Sequence, residues 1–372
     1  MKNLKLATII VLLSIISSNI AGQTLADSIY QQNEKILKIL QSSSVSTQIF
    51  LGFRYYEEGN DQFNEFTIKR GYITFQKSLN KHLSGRITPD LTVDKEGDGM
   101  GDLEMRLKYC YMELKDDNNY WIFSNPRVLV GEVFTPWIEF EEKINKYRVI
   151  GSHFLDKTTI LSSADFGLIT TALIGGTVDE SYQKNVSSAY PGKYGSIAVG
   201  VFNGGGYHAL ENNNNKTVQW RLSVRPLPEM LTGFQLSYTG VVGKGNTELY
   251  PDWNMHAGIV SYEEKHFTVT GQGFVGKGNH IGDFADSTGK AYDVKGYSAF
   301  AELKLFKNKF SIFGRYDYLK TDKITAKIES TQEVIGVAYH IYGKNKVVFD
   351  FNRNTVDGES KGVVEVMLEL AL

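Results

Sequence analysis

From residue 45 onward, the sequence breaks into short segments in which apolar and polar residues alternate one by one. In residues 102–114, Leu107 and Tyr111 fall on one face and Glu104 and Lys108 on the other. A period of two predicts a β-strand with an apolar and a polar face. Ionisable residues recur on the polar face, which the core of a soluble protein would exclude and a water-filled lumen accepts.

The alternating segments run to about ten residues, the length that a tilted strand needs to cross a bilayer. Aromatic residues cluster at their ends, as in the interfacial girdles of membrane barrels. We count sixteen segments, an even number typical of bacterial outer-membrane barrels. The sequence therefore predicts an all-β fold, a transmembrane antiparallel barrel. The predicted strands are 45–56, 64–78, 82–94, 102–114, 121–133, 167–175, 193–203, 216–226, 232–243, 253–263, 266–277, 293–305, 309–320, 331–342, 345–354 and 361–371.

The N-terminal residues have a different composition from the rest of the chain. Residues 1–22 combine an early positive charge with a short apolar run, which predicts a secretory signal peptide. In residues 25–41 apolar residues recur at helical spacing, which predicts a short periplasmic helix, with a loosely ordered leader as the alternative. We therefore divide the chain into a signal peptide (1–22), a helix or leader (23–44) and an outer-membrane barrel (45–372).

Composition excludes several classes of function. The formal net charge of −2 does not favour a nucleic-acid partner. The single cysteine, Cys110, cannot form a disulfide framework or a cysteine zinc site. The seven histidines show no spacing of metal ligands, and no serine lies in a nucleophile elbow. We predict no metal, no cofactor and no enzymatic activity.

One long stretch, residues 134–166, lacks the alternation. Its aromatic residues give it apolar surface to bury, so we predict a loop after the fifth strand that folds into the lumen and narrows it. Basic residues of this loop and of the inward strand faces would then line the constriction. The candidates are Lys143, Lys146 and Arg148 on the loop, and Arg86, Lys108, Arg127, Arg221 and Arg315 on the strands. The alternative is a balanced, solvated wall of internal ion pairs.

Two places depart from the regular pattern. The connection at residues 176–192 is long where a short periplasmic turn is expected. Lys69 and Arg70 are adjacent, so both cannot face the lumen in a regular strand, and we predict a β-bulge there.

Several short motifs, spread over most of the chain, resemble the phosphate-selective porin O and P family. They are FTIKRGYITFQ (66–76), FTPW (134–137) ahead of ILSSADFG (160–167), VGVFNGGGYH (199–208), RLSVRPLP (221–228) and FGRYDYL (313–319). The resemblance implies a sixteen-stranded trimeric porin whose loop after strand five folds inward. It implies a bacterial outer-membrane protein in contact with lipid and lipopolysaccharide.

The expected function is passive diffusion of small polar or anionic solutes, phosphate among the candidates, through a water-filled barrel. Pore width and the charges at the constriction would set selectivity. The alternative is a closed outer-membrane barrel that acts as a receptor, adhesin or structural protein.

Overall fold

The computed structural model describes residues 30–34, 36, 37, 39–58, 61–94, 99–322 and 327–372. The signal peptide expected at residues 1–22 lies outside them. The described residues form sixteen long strands: β1 (Ser43–Glu58), β2 (Asp61–Ser78), β3 (Leu83–Val93), β4 (Leu103–Lys115), β5 (Phe123–Phe134), β6 (Ala164–Ile174), β7 (Gly195–Phe202), β8 (Thr217–Val224), β9 (Phe234–Lys244), β10 (Asp252–Glu263), β11 (Phe267–Lys277), β12 (Asp293–Leu305), β13 (Phe310–Asp322), β14 (Lys327–Tyr342), β15 (Asn345–Val356) and β16 (Glu359–Ala371).

The sheet closes on itself as an antiparallel barrel. Each long strand pairs with the next one along the chain, and β1 pairs with β16 in a register that places Gln48 opposite Ala371. A two-residue ladder, Asn119–Tyr120, extends the start of β5. Closure leaves no unpaired edge in the barrel. The predicted all-β fold with sixteen strands is confirmed, and every predicted segment overlaps an observed strand.

The two faces of each strand differ as the alternation predicted. On β13, Ser311 and Arg315 are buried and point inward, whereas Ile312 and Tyr316 are exposed on the outer surface. An outer face of this kind matches the hydrocarbon of a bilayer. The inner face therefore carries the polar and ionisable side chains.

Two β-bulges change which side chains enter the lumen. Lys69 has no partner residue between the pairs Phe50–Arg70 and Leu51–Ile68, so the predicted bulge is confirmed. A second bulge leaves Lys108 unpaired.

The second bulge turns Tyr109 and Tyr111 inward, where they are 6% and 9% exposed. The prediction that Tyr111 shares the outer face of Leu107 was therefore wrong. Pro89, next to the irregularity on β3, has no N–H for the ladder, and proline inside a sheet is typical of such bulges.

The described residues also form four helices that are not part of the barrel wall. Residues 30–34, 36, 37 and 39–41 are helical (α1). The connection between β5 and β6 contains α2 (Ile138–Ile144), a 3-10 turn (Arg148–Ile150) and α3 (Phe154–Lys157), and the connection between β6 and β7 contains α4 (Glu180–Asn185). Within the described residues, every helix is too short or too polar to cross a membrane.

Candidate constriction site inside the barrel

Residues 135–163, here called the inner loop, leave the wall at the end of β5 and return at the start of β6. Their base is closed by hydrogen bonds from Thr135, whose N–H donates to the carbonyl of Ser163 at 3.1 Å and whose hydroxyl donates to that of Ser162 at 2.6 Å. Between these points the inner loop folds into the lumen, as the sequence predicted.

Two apolar clusters hold the inner loop against the wall. In the first, Trp137, Phe140 and Phe154 pack on inward residues of β9 to β13. Full burial of one such side chain stabilises by roughly 1.5–3 kcal/mol. The wall residues of this cluster are Val241, Trp253, Met255, Ala257, Ile259, Phe274, Val294 and Leu319.

The second cluster lies farther along the inner loop. Tyr147, Val149 and Ile150 pack against inward residues of β1, β2 and β12 to β16. The wall residues are Phe50, Tyr72, Phe300, Phe313, Val334, Ala338, Val348 and Met367. The inner loop therefore covers a broad arc of the wall. Neither cluster includes a residue of β3, β4 or β5, and we call these three strands the free arc.

Four basic wall side chains donate hydrogen bonds to backbone carbonyls of the inner loop. A loop inside a barrel has few backbone partners of its own, and buried carbonyls need donors. The pairs are Arg221 with Pro136 at 3.1 Å, Lys346 with Lys146 at 2.9 Å, Lys69 with Ile150 at 2.8 Å, and Arg315 with Ser152 at 3.1 Å.

Two buried side-chain hydrogen bonds add to this anchoring. The Tyr147 hydroxyl donates to Glu302 at 2.7 Å, and the Gln272 amide donates to Glu141 at 2.6 Å. Burial raises the pKa of Glu141 to about 8, against the opposing hydrogen bond from Gln272. Glu141 is therefore largely protonated at neutral pH.

Basic side chains of the wall beside the free arc and of the neighbouring part of the inner loop lie together. We call this set of side chains the basic face. Five of its six bases pair with four acids, which leaves the basic face with a formal charge of +2. The bases are Arg70, Arg86, Lys108 and Arg127 on the wall and Lys143 and Arg148 on the inner loop, and the acids are Asp90, Glu113, Glu139 and Glu142.

Glu142 joins the two sides of the basic face. Its carboxylate lies 4.0 Å from the Lys108 ammonium and 3.3 Å from Nε of Arg148. Burial alone would raise the pKa of Glu142, but these two cations lower it to about 2. The carboxylate therefore stays ionised at physiological pH and neutralises part of the charge of both bases.

Tyrosine rings support the basic face. The Arg86 guanidinium lies 4.6 Å from the centroid of the Tyr109 ring, and the Lys108 ammonium lies 4.8 Å from that of Tyr72. Such cation–π contacts fix the position of a cation without neutralising it. In the described part of the chain, no acid lies within 4.0 Å of Arg86, whose Nε donates to Thr88 at 2.9 Å.

The structure thus places the predicted site residues in two settings. Arg86, Lys108, Arg127, Lys143 and Arg148 lie on the basic face. The remaining three lie elsewhere. Lys146 points toward Glu263, at 3.9 Å, while Arg221 and Arg315 are 0% and 6% exposed behind the inner loop.

The sequence reasoning also missed some contributors. Arg70 lies on the basic face, and Lys69 and Lys346 anchor the inner loop. For the adjacent Lys69 and Arg70 the available signal was the bulge, since it lets both side chains turn inward. Lys346 had no comparable signal. Within the described residues, no group of His, Cys, Asp and Glu side chains is arranged to hold a metal ion.

Comparisons with known proteins find likeness only at the level of structure. No protein-family model matches the chain, and no curated protein matches it. Solved structures do match over most of its length.

Three of these structures are similar over nearly 90% of this chain. An anion-selective porin from Comamonas acidovorans has a TM-score of 0.59 at 11% identity and is covered in full, matching 89% of this chain. The outer-membrane channel DcaP of Acinetobacter baumannii has a TM-score of 0.58 at 9% identity. The match covers 88% of this chain and 97% of the DcaP chain. The trimer form of OmpT, an outer membrane protein of Vibrio cholerae, has a TM-score of 0.55 at 9% identity. The match covers 88% of this chain and 100% of the OmpT chain. The chain therefore has the fold of outer-membrane porins.

Proposed function

We propose that this protein is a passive diffusion channel that favours small polar and anionic solutes. The observation that carries the proposal is the basic face, which lies where the inner loop leaves the wall free. The side chains of Lys143 and Arg127 are 48% and 44% exposed there. Fixed charges in a narrow, partly desolvated lumen act more strongly on a passing ion than charges on an open surface, which salt screens within about 8 Å.

The remaining parts of the proposal concern where the channel works. Residues 1–22 would direct export, and the barrel would insert into a bacterial outer membrane, among lipid and lipopolysaccharide. The exposed apolar outer face supports insertion. We propose a homotrimer, as in the OmpT structure of similar fold, and no enzymatic activity.

Phosphate is a specific candidate solute, as expected for the phosphate-selective porin O and P family that the sequence resembles. Guanidinium groups bind phosphate through paired N–H donors. Arg86 is the best placed of the basic face for this, because no acid pairs with it. Arg70 and Arg148 already interact with Asp90 and Glu142. We therefore expect weak phosphate binding superimposed on a general anion preference.

A second candidate is a closed barrel that serves as a receptor, adhesin or structural protein. The observation that favours it is that residues 175–194 also fold into the barrel, where the ring of Tyr190 lies 5.2 Å from that of Phe140.

Planar-bilayer recording of the purified protein distinguishes these functions. The channel should give discrete conductance steps, and its reversal potential across a KCl gradient should lie toward that of chloride. Phosphate should reduce the chloride current, and sulfate tests whether that block is specific. Cation preference would contradict the anion proposal, and absence of any conductance from folded protein would favour the closed barrel.

A further inference from the structure

The connection between β6 and β7, residues 175–194, is long for its end of the barrel. On the same end, β10 and β11 are joined by residues 264–266 and β14 and β15 by residues 343–344. Residues 175–194 are also ordered within themselves. A bridge between Thr177 and Gly192 closes their base.

This connection contacts the inner loop from the end of the barrel that carries the short turns. The Tyr190 hydroxyl donates a hydrogen bond to the carboxylate of Glu139 on α2, and its ring packs on Phe140 of the same helix, with centroids 5.2 Å apart. One residue therefore contacts both a charged and an apolar side chain of α2. These contacts join the two inward-folded segments of the barrel.

Arg221 of β8 completes the junction. Its guanidinium lies 4.0 Å from the centroid of the Phe140 ring and 4.7 Å from that of Tyr190, so that it sits against both rings. Its side chain is fully buried, and Nε also donates to the carbonyl of Pro136 at 3.1 Å. A cation held against two rings away from water is strongly attracted to them.

A second set of contacts lies beside the first. The Lys146 ammonium of the inner loop donates to the carbonyl of Val186 at 3.4 Å, and the Tyr182 hydroxyl donates to the carbonyl of Glu263 at 3.4 Å. Arg225 donates to the carbonyl of Tyr190 at 3.4 Å. Residues 175–194 are thus held to the wall while they hold the inner loop.

The backbone at Tyr190 is strained. Its φ is +45°, in the left-handed region that a bulky side chain rarely adopts. Such a conformation persists only where surrounding contacts enforce it, and it is found at switches and clamps. Here Tyr190 is held by Glu139, Phe140 and Arg221 at its side chain and by Arg225 at its carbonyl.

We propose that residues 175–194 are a latch that holds α2 in place from the periplasmic end and so controls how often the constriction fluctuates. When Tyr190 is in contact with Glu139, Lys143 and the rest of the basic face stay fixed. When that contact breaks, α2 moves and the current becomes noisy. The effect on current rests on the proposed channel function, whereas the effect on the mobility of α2 does not.

The test is hydrogen–deuterium exchange of the detergent-solubilised protein, read on peptides covering residues 138–146. Tyr190→Phe removes the hydroxyl and keeps the ring, and we expect faster exchange in α2 by severalfold. Tyr250→Phe is the matched control. Tyr250 also has a positive φ, +52°, but lies in the connection between β9 and β10, away from the latch. It should leave exchange in α2 unchanged.

Single-channel recording of the same proteins gives the functional result. Tyr190→Phe should raise the frequency of brief closures severalfold, and Tyr250→Phe should not. Glu139→Met removes the acceptor of the Tyr190 hydroxyl and also the ion pair with Lys143. Adding Tyr190→Phe to Glu139→Met should not speed exchange further, because the interaction that the hydroxyl made is already lost. Additive effects would mean that the two residues act independently and would overturn the latch.

Unchanged exchange in α2 of folded Tyr190→Phe would also overturn the latch. If neither single variant folds, a deletion of residues 179–190 replaces them, since Thr177 and Gly192 already pair at the base. That deletion should speed exchange in α2, and unchanged exchange would contradict the proposal. A barrel that shows the exchange effect but never conducts would instead contradict the proposed channel function alone.

Discussion

The hydroxyl of Tyr147, midway along the inner loop, donates a 2.7 Å hydrogen bond to the carboxylate of Glu302 on β12, and its ring stacks on Phe313 with centroids 4.0 Å apart. Glu302 is 5% exposed and also accepts from Ser311 at 2.8 Å. A single side chain thus gives the inner loop both an apolar and a polar attachment to the wall.

We predict that Tyr147→Phe loosens this attachment while keeping the stacked ring. Loss of one donor to a buried carboxylate costs about 1–3 kcal/mol. The temperature at which the folded band is lost in detergent should fall by a few degrees. Tyr339→Phe is the control, because Tyr339 faces outward at 44% exposure. An equal fall in melting temperature in both variants would mean that the Tyr147 hydrogen bond does not stabilise the fold.

Charge reversal on the basic face should change selectivity without unfolding the barrel. Arg86→Glu and Lys143→Glu each alter an accessible charge, and the interaction of two charges at 4 Å in water is about 1 kcal/mol, or roughly fivefold in ion partition. The reversal potential should move toward that of the cation. Lys265→Glu makes the same change in the exposed turn between β10 and β11 and should have little effect.

Arg221 should respond differently from those two residues. Its guanidinium is buried against the rings of both Phe140 and Tyr190 and donates to the carbonyl of Pro136. We expect Arg221→Met to lower thermal stability, since it leaves that carbonyl without its donor, at a cost of about 1–3 kcal/mol. Thermal unfolding in detergent measures this. A large shift in selectivity with unchanged stability would place Arg221 in the ion path instead.

The protonation of Glu141 predicts a pH dependence of stability. Burial raises its pKa from the ordinary 4.5 to about 8. Because the folded protein binds this proton more tightly than the unfolded chain does, the stability from it is complete below about pH 4.5 and is lost as pH rises through about 8. Each unit of pKa difference corresponds to about 1.4 kcal/mol.

Glu141→Gln isolates this contribution. The amide has the shape of the protonated carboxyl, so the fall in melting temperature between pH 6 and pH 9 should be smaller in the variant than in the unmodified protein. Glu248→Gln, in an exposed connection, should keep the original pH dependence. If Glu141→Gln keeps the full pH dependence of the melting temperature, that dependence comes from another titratable group.

The strands could be predicted because their information is local. A period of two and a length of about ten residues define each strand, and closure adds only that neighbours pair. Even the bulge at Lys69 was predictable, because two adjacent lysine and arginine residues break the alternation. The bulge at Lys108 could not be predicted from alternation, since Tyr109 and Tyr111 fit an outer or an inner face equally well. Pro89, on the neighbouring strand, was the signal that could have shown it.

The division of basic residues between pore and anchor could not be predicted from alternation alone. Alternation places Arg86 and Arg221 on the same inner face, and only the path of the inner loop decides that one remains free and the other is covered. That path depends on contacts far apart in sequence, such as Arg221 with Pro136. The same holds for residues 175–194, whose length the sequence revealed and whose contact with α2 it did not.

The final prediction concerns the inner loop as the element that narrows the lumen. Deleting residues 138–150 removes α2 and Tyr147 and should raise single-channel conductance about twofold or more, since this element crosses the lumen and carries the anchors of two clusters.

Stability should fall at the same time, because each large apolar side chain that is lost from burial contributes roughly 1.5–3 kcal/mol. Heat modifiability on gels must therefore first show that the truncated barrel folds. Deleting residues 286–289, in the connection between β11 and β12 and enclosed by the bridge between Ala285 and Ala291, is the control and should leave conductance unchanged. If the folded truncation conducts like the intact protein, the narrowest point lies elsewhere, and residues 175–194 become the element to delete next.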